Sequence, residues 1–426
     1  MDDLFAVYDG RVPREADLVT YWFEKARAVI AAKKAKRAGL LATQGIRGGA
    51  NRRVLERIKD SGDIFLAYSD RDWVLEGANV HVSIIGFDDG SEAERQLDGA
   101  AVQAINADLT SAADLTQARR LPENAGISFM GDTKGGAFDI TAELAQKMLG
   151  APANPNGRPN SDVLRPWING LDVTRRPRGM WIVDFGCEAS EKDAALYQEP
   201  FEYVKAKVRP FRAKNKRDTY RERWWIHAEP RPAMRDGMAG LKRYIATPRV
   251  SKHRLFVWEP VTTLPDSALI IFLREDDYFL GVLHSKPHEL WARRMGTQVR
   301  EAESGFRYTP NSTFETFPLP WPPGQEPAAD PRVEAIATAA RDLVSKRDAW
   351  LNPPGGSASE LAKRTLTNLY NQRPTWLYDA HRALDQAVFA AYGWPANITD
   401  GDILACLLAL NQQRAAGKQT KAAVQN

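Results

Sequence analysis

Arg249, Lys252, His253 and Arg254 form the densest knot of basic side chains in the chain, just before an apolar run at Leu255–Trp258. An arginine fork can pair bidentately with guanine in a major groove, and Lys or His can reach base edges or phosphates. The turn therefore fits base reading or phosphate positioning, and residue types alone leave both open. Arg293 and Arg294, after Trp291, and Arg307 beside Tyr308 are further candidate contacts. Around the knot, residues 205–254 hold sixteen Lys or Arg against four Asp or Glu, a local charge of +12 in a chain whose total is +4. A basic block inside an otherwise mildly acidic protein points to a polyanion, with steep salt dependence the expected signature. Phe211, Tyr220, Trp224, Trp225 and Tyr244 interleave with the charges.

Other chemistries find less support. His284 and His288 have i,i+4 spacing, but Pro287 between them disfavours a helix and no third ligand is near, so no metal is expected. No Ser/His/Asp or Cys/His nucleophile pair is apparent. Cys187 and Cys406 lie far apart without CxxC spacing, which argues against a disulfide framework or a structural zinc site. Gly45-Ile46-Arg47-Gly48-Gly49 follows a strand and opens a helix, the place for a nucleotide loop. It lacks GxGxxG spacing and an acidic partner about 20 positions on, and reads as a tight strand-to-helix turn.

The elements that must position these groups fall into three zones: 1–105, 106–325 and 326–426. In the first, Leu18, Tyr21, Trp22, Ala26 and Val29 recur at helical spacing over residues 17–32, with Asp17 placed to cap. A strand at 39–42, a helix at 50–59 and strands at 64–67 and 80–87 follow, giving an α/β layout that closes on a hairpin. The second zone is broken by Pro and Gly and rich in Trp, Tyr and Arg, an irregular α+β pattern in which Trp181, Trp291, Phe314 and Phe317 fit a core. The third is helical over 333–351, 358–369 and 377–392, with Thr399 capping a last helix. The chain is 43% hydrophobic and 26% charged, ordinary for a globular protein. No apolar run reaches the roughly 18 residues of a membrane helix. The first ten residues lack the basic-then-apolar order of a secretory signal. A cytoplasmic location follows by default.

Eight stretches carry a family resemblance. They are READLVTYWFEKA at 14–26, GLLATQGIRGGANRRVLERI at 39–58, DRDWVLEGANVHVSIIGF at 70–87 and NSDVLRPWINGLDV at 160–173. WIVDFG at 181–186, IATPRVSKHRLF at 245–256, GVLHSKPHELW at 281–291 and RYTPNSTFETFPLPWP at 307–322 complete the set. In this order and spacing they are similar to the MmeI-like, type IIL group of restriction–modification enzymes. The resemblance implies the C-terminal half of a Rossmann-like methyltransferase sheet at 1–105, an α+β target-recognition domain at 106–325 and a small all-α domain at 326–426. It implies site-specific, S-adenosylmethionine-dependent methylation of adenine N6 in double-stranded DNA. A non-enzymatic DNA-binding specificity subunit, serving a partner methyltransferase or nuclease, is the alternative.

The resemblance also implies two motifs before Met1: a Gly-containing turn for S-adenosylmethionine and an Asn-Pro-Pro-aromatic motif that grips the target adenine. The expectation is a chain that is inactive alone and works with a separate N-terminal methyltransferase half. Asn352-Pro353-Pro354 is followed by Gly355 and Gly356 rather than a ring, so it reads as an interhelical loop. A base flipped from the duplex needs an aromatic face to replace its lost stacking. Trp73, just before the 80–87 strand, is the residue that relatives would place there; the other reading makes it a core residue closing the hairpin. Asp17 faces the donor pocket by the same analogy, against the cap reading.

Overall fold

A computed structural model describes residues 2–75, 78–111, 113–298 and 305–423. The first zone opens with α1 (Asp2–Val7) and α2 (Val19–Ala31), then β1 (Arg37–Thr43), α3 (Arg52–Ser61), β2 (Asp63–Leu75) and β3 (Ala78–Asp88). Two three-residue strands, β4 (Arg95–Leu97) and β5 (Ala100–Val102), close it. The sheet order is β1-β3-β2-β4-β5. β3 runs antiparallel to both neighbours, pairing Leu40↔Ile85 on one side and Ile64↔Phe87 on the other, so the expected hairpin forms. β4 and β5 are too short to show a period of two in sequence. Their turn, Asp98-Gly99, has both φ angles positive, the conformation that Asp-Gly favours between paired strands. Helical spacing in α2 and α3 turns Phe23, Ile30, Val54, Leu55 and Ile58 onto this sheet, where they bury Ile64, Ile85 and Phe87. Phe23 and Phe87 stack at 6.0 Å.

Asp17 does not cap α2. Its carboxylate accepts from Asn51 Nδ2 at 2.7 Å, and its N–H donates to Asn51 Oδ1 at 2.7 Å. The same Asn51 donates to Gly45 O, so Asp17 and Asn51 clasp the start of α2 to the glycine loop.

The second zone holds three small sheets. One is β6 (Ser128–Met130), β10 (Arg243–Pro248), β12 (Val257–Pro260) and β14 (Leu269–Phe272), in the order β12-β10-β14-β6. Another combines β7 (Asp139–Ile140), β8 (Leu164–Ile168), β9 (Trp181–Val183) and β13 (Leu264–Pro265). The third has β11 (Val250–Ser251), β15 (Thr297–Gln298) and β16 (Phe306–Arg307), with β16 central. Helices α4 (Ala142–Leu149) and α5 (Gly170–Thr174) flank them. So do α6 (Glu191–Ala195), α7 (Gln198–Lys207), α8 (Arg209–Arg212), α9 (Asp218–Glu222) and α10 (Pro232–Met238). Then come α11 (Asp277–His284) and α12 (Lys286–Met295), broken from each other at Ser285. His284 and His288 thus sit on separate helices, each bonded to the main chain: His284 Nε2 to Phe256 O and His288 Nδ1 to Leu283 O.

Five helices end the chain: α13 (Pro331–Leu351), α14 (Ala358–Lys363), α15 (Leu366–Gln372), α16 (Thr375–Tyr392) and α17 (Asp400–Ala423). The single helix expected over 358–369 is two, because Thr365 leaves the helical region and caps α15 by accepting from Asn368 N. Thr399 Oγ1 accepts from Asp402 N, as an N-cap should. The helices share one apolar core with the second zone, reaching from Leu115 to Leu407. Arg347 on α13 is driven into that core, donating to Phe256 O and facing His284 Nε2 at 3.0 Å each. No helix among the described residues is long and apolar enough to cross a membrane.

The α11–α13 crossing depends on one glycine. A Cβ on Gly281 would lie 2.7 Å from Ile336 Cγ2 and 3.2 Å from Ala340 Cβ, so the helices could not keep their spacing. We expect Gly281→Ala to destabilise the protein by about 1–3 kcal/mol, the usual cost of overpacking a tight core. Urea unfolding of variant and parent measures it; equal midpoints would show that the crossing can spread freely.

Candidate nucleic-acid interface

Central strand β10 ends at Pro248, which has no N–H to continue the ladder. The chain then turns, and Arg249 N donates to Ala268 O at 2.7 Å. Tyr308 N returns to Arg249 O at 2.8 Å, and β11 pairs with β16 as Val250↔Arg307. This register puts Arg249 and Arg307, 58 positions apart in sequence, on one cavity of about 540 Å³. Asn169, Leu171, Val250 and Ser267 also line it, and no carboxylate does.

Among the described residues neither guanidinium has a hydrogen-bond or ion-pair partner. Burial, then the neighbouring charges of Arg307 and Arg231, lowers the Arg249 pKa. Two unpaired cations that repel each other beside a hollow without acids favour an anion between them.

The other candidates divide. Lys252 is exposed on the same turn. His253 Nε2 meets Asn371 Oδ1 of α15 at 2.8 Å, so the turn leans on the C-terminal helices. Arg254 and Tyr308, expected at the surface, are both buried, and neither is a surface contact. Arg254 is 5% exposed and donates to Thr247 Oγ1 (3.1 Å), Pro248 O and Phe306 O (3.2 Å). Burial pulls its pKa down to about 10. Tyr308 is fully buried, its hydroxyl 2.8 Å from His288 Nε2. Both hold the turn from inside. Arg293 is exposed, bonded to Glu289 and set over the Phe306 ring at 5.5 Å. Arg294 reaches toward Asp108 at 3.9 Å and lines a smaller cavity of about 180 Å³ with Gly45, Arg47 and Asp70.

Much of the basic block is structural. Arg212 is buried against four carbonyls, including Lys134 O at 2.6 Å and Ile226 O at 2.7 Å, with its pKa brought to about 10 by burial. Arg235 bridges Asp132 and Asp184. Between those acids lies His227, a residue that sequence reasoning passed over. Its Nδ1 faces Asp132 Oδ1 at 3.0 Å and its Nε2 faces Val183 O at 2.9 Å. A carboxylate and a carbonyl both accept, so both ring nitrogens must carry protons. Burial opposes that charge, but Asp132, by charge and hydrogen bond, and Asp184 hold the His227 pKa above the ordinary imidazole value.

Trp73 lies on the outer part of the β2–β3 hairpin and is 44% exposed, so it is not a core residue. Near it, His81 Nδ1 meets Asp70 at 2.8 Å. Asn352 ends α13, and its side chain accepts from Arg176 Nη2 at 2.9 Å.

Residues 328–417 match the family model for the MmeI C-terminal domain. The structure of the type IIL restriction–modification enzyme MmeI in complex with DNA has the same fold, with TM-score 0.75 and 20% identity. That likeness covers 97% of this chain and 55% of the MmeI chain, so this chain spans about half the length of that relative. The type IIG restriction endonuclease BpuSI covers 84% of this chain and 47% of its own at 10% identity, with TM-score 0.29. No curated protein matches the chain. The resemblance drawn from the eight stretches is therefore borne out: the chain carries an MmeI C-terminal domain at 328–417 and, over nearly its whole length, the fold of an MmeI-like restriction–modification enzyme.

Proposed function

We propose that this chain provides DNA target recognition for a site-specific, S-adenosylmethionine-dependent DNA adenine-N6 methyltransferase of a restriction–modification system. The observation that carries it is the acid-free cavity between Arg249 and Arg307. That cavity lies on a fold whose solved relative is described in complex with DNA. In this reading residues 106–325 read DNA, 326–426 buttress the reading turn through Asn371 and Arg347, and 1–105 form part of the catalytic domain. Trp73 supplies one wall of the flipped-base pocket, and the setting is cytoplasmic. The test is duplex binding at several salt concentrations by the protein and by Arg249→Ala/Arg307→Ala.

The residues around the glycine loop do not fit S-adenosylmethionine. The glycine loop opens on a hollow of about 180 Å³, below the roughly 300 Å³ at which ligand pockets begin. No methyl-transfer step is assigned to them.

The edge of the first sheet favours half of an enzyme over a free-standing specificity subunit. β1 carries Gly39-Leu40-Leu41-Ala42, apolar on both faces as interior strands are, yet it is the terminal strand of its sheet. Leu41 is 40% exposed, and Trp22 on neighbouring α2 is 58% exposed beside an apolar groove lined by Val29, Ala38 and Leu40. A polypeptide carrying the donor-binding strands would extend this edge. Leu41→Asp should then cut association with such a partner at least about tenfold, the effect of 1.4 kcal/mol, and leave DNA affinity unchanged. Copurification from coexpressing cells measures it. Methyl transfer from labelled S-adenosylmethionine to DNA by the 426-residue chain alone would defeat the idea that its site is incomplete.

A further inference from the structure

The cavity between Arg249 and Arg307 has a feature that phosphate binding does not use. Leu171 and Val250, 49% and 39% exposed, stand on its walls. A single exposed aliphatic needs no explanation. Two on the walls of one acid-free hollow give it an apolar lining beside the two cations, and the structure holds one of them firmly. Leu171 N donates to Asn169 Oδ1 at 2.8 Å, and Asn169 N donates to Asp172 Oδ2 at 2.9 Å. Arg178 grips both oxygens of Asp172, at 2.9 and 3.0 Å. From the C-terminal helices, Thr367 Oγ1 donates to Thr174 O at 2.9 Å. Leu171 therefore sits on a pinned turn rather than a loose loop, as a contact that must discriminate shapes requires.

We infer that Leu171, with Val250 in the same cavity, is an apolar specificity contact that meets the C5-methyl group of thymine in the major groove, while Arg249 and Arg307 hold the flanking phosphates or base edges. Only the major groove shows that methyl, and it is the one apolar group by which an A·T pair differs there from the others. This rests on the DNA reading proposed above. The arginines supply affinity to any duplex; the apolar lining supplies a preference between duplexes.

The experiment selects bound duplexes from a randomised pool with the full chain, Leu171→Ala and Leu171→Met. Leu171 is half exposed, so the variants should match the parent's thermal midpoint, which is checked first. The expected result is a consensus containing a thymine position that is lost with Leu171→Ala and kept with Leu171→Met. Replacing that thymine by uracil should weaken binding of the parent about fourfold, the worth of one buried methyl group, and leave Leu171→Ala unaffected. The salt slope should be the same for all three proteins. A consensus that Leu171→Ala retains in full overturns this inference alone, as does equal loss on uracil substitution in parent and variant. If the parent enriches no sequence at all, both this inference and the DNA reading beneath it fall.

Discussion

The double variant Arg249→Ala/Arg307→Ala should bind duplex DNA with a log–log salt slope shallower by about 1.8, since each neutralised phosphate contributes about 0.9. Each charge-assisted contact is worth about 1.5–3 kcal/mol, so affinity at low salt should fall by at least two orders of magnitude. Stability should not fall, because among the described residues neither guanidinium has a partner to lose, and the charge of Arg307 disfavours that of Arg249. Arg254→Ala should do the reverse. It would strip the donors from Pro248 O and Phe306 O and open space beneath the turn. Leaving buried acceptors unpaired costs about 1–3 kcal/mol, so its urea midpoint should drop while the salt slope of the folded fraction persists. Titrating a labelled duplex against the three proteins at four salt concentrations separates the outcomes. An unchanged slope in the double variant would remove this cavity from the DNA-contacting surface.

That contrast shows what a sequence can and cannot say about such a site. Charge density over 205–254 is a property of composition, and it points to the 249–254 turn. Direction is a property of packing. Arg249 precedes a two-residue strand and faces out; Arg254 follows it and faces a core that closes only when β16, more than fifty positions later, pairs with β11. Arg212 and Arg235 were drawn inward in the same way, by carbonyls and acids remote in the chain. The helices at 19–31, 331–351 and 375–392 were legible because apolar residues recur over several turns. β4 and β5 were not, since three residues cannot display a period. Composition divides the chain at 326, and Ile336 and Leu343 beyond that point share a core with Phe272 and Phe279. His227 was invisible for a further reason. Its chemistry depends on Asp132, 95 positions away, and on a carbonyl of β9.

Asp132 is fully buried and is the common partner of His227 and Arg235. Asp132→Ala would leave two buried cations facing Asp184 alone, and breaking a buried pair in this way costs about 3–5 kcal/mol. The loss should itself depend on pH. His227 holds its proton more tightly in the folded protein than in the unfolded chain, where imidazole titrates near 6.5. Its contribution is then complete below that value and fades as pH rises through the raised folded pKa. Parent stability should fall across this window, after allowance for the carboxylates that titrate lower. In Asp132→Ala the nearest negative charge is gone, the ring gives up its proton, and the slope above pH 6.5 should flatten. His227→Gln offers a second check: its amide can donate to one acceptor but carries no charge, so it should remove the same slope with a smaller loss at neutral pH. Urea unfolding of the three proteins from pH 5.5 to 9 decides it. A parent whose midpoint does not decline above pH 6.5 would mean that His227 is neutral when folded, and that one of its two short contacts is not a hydrogen bond.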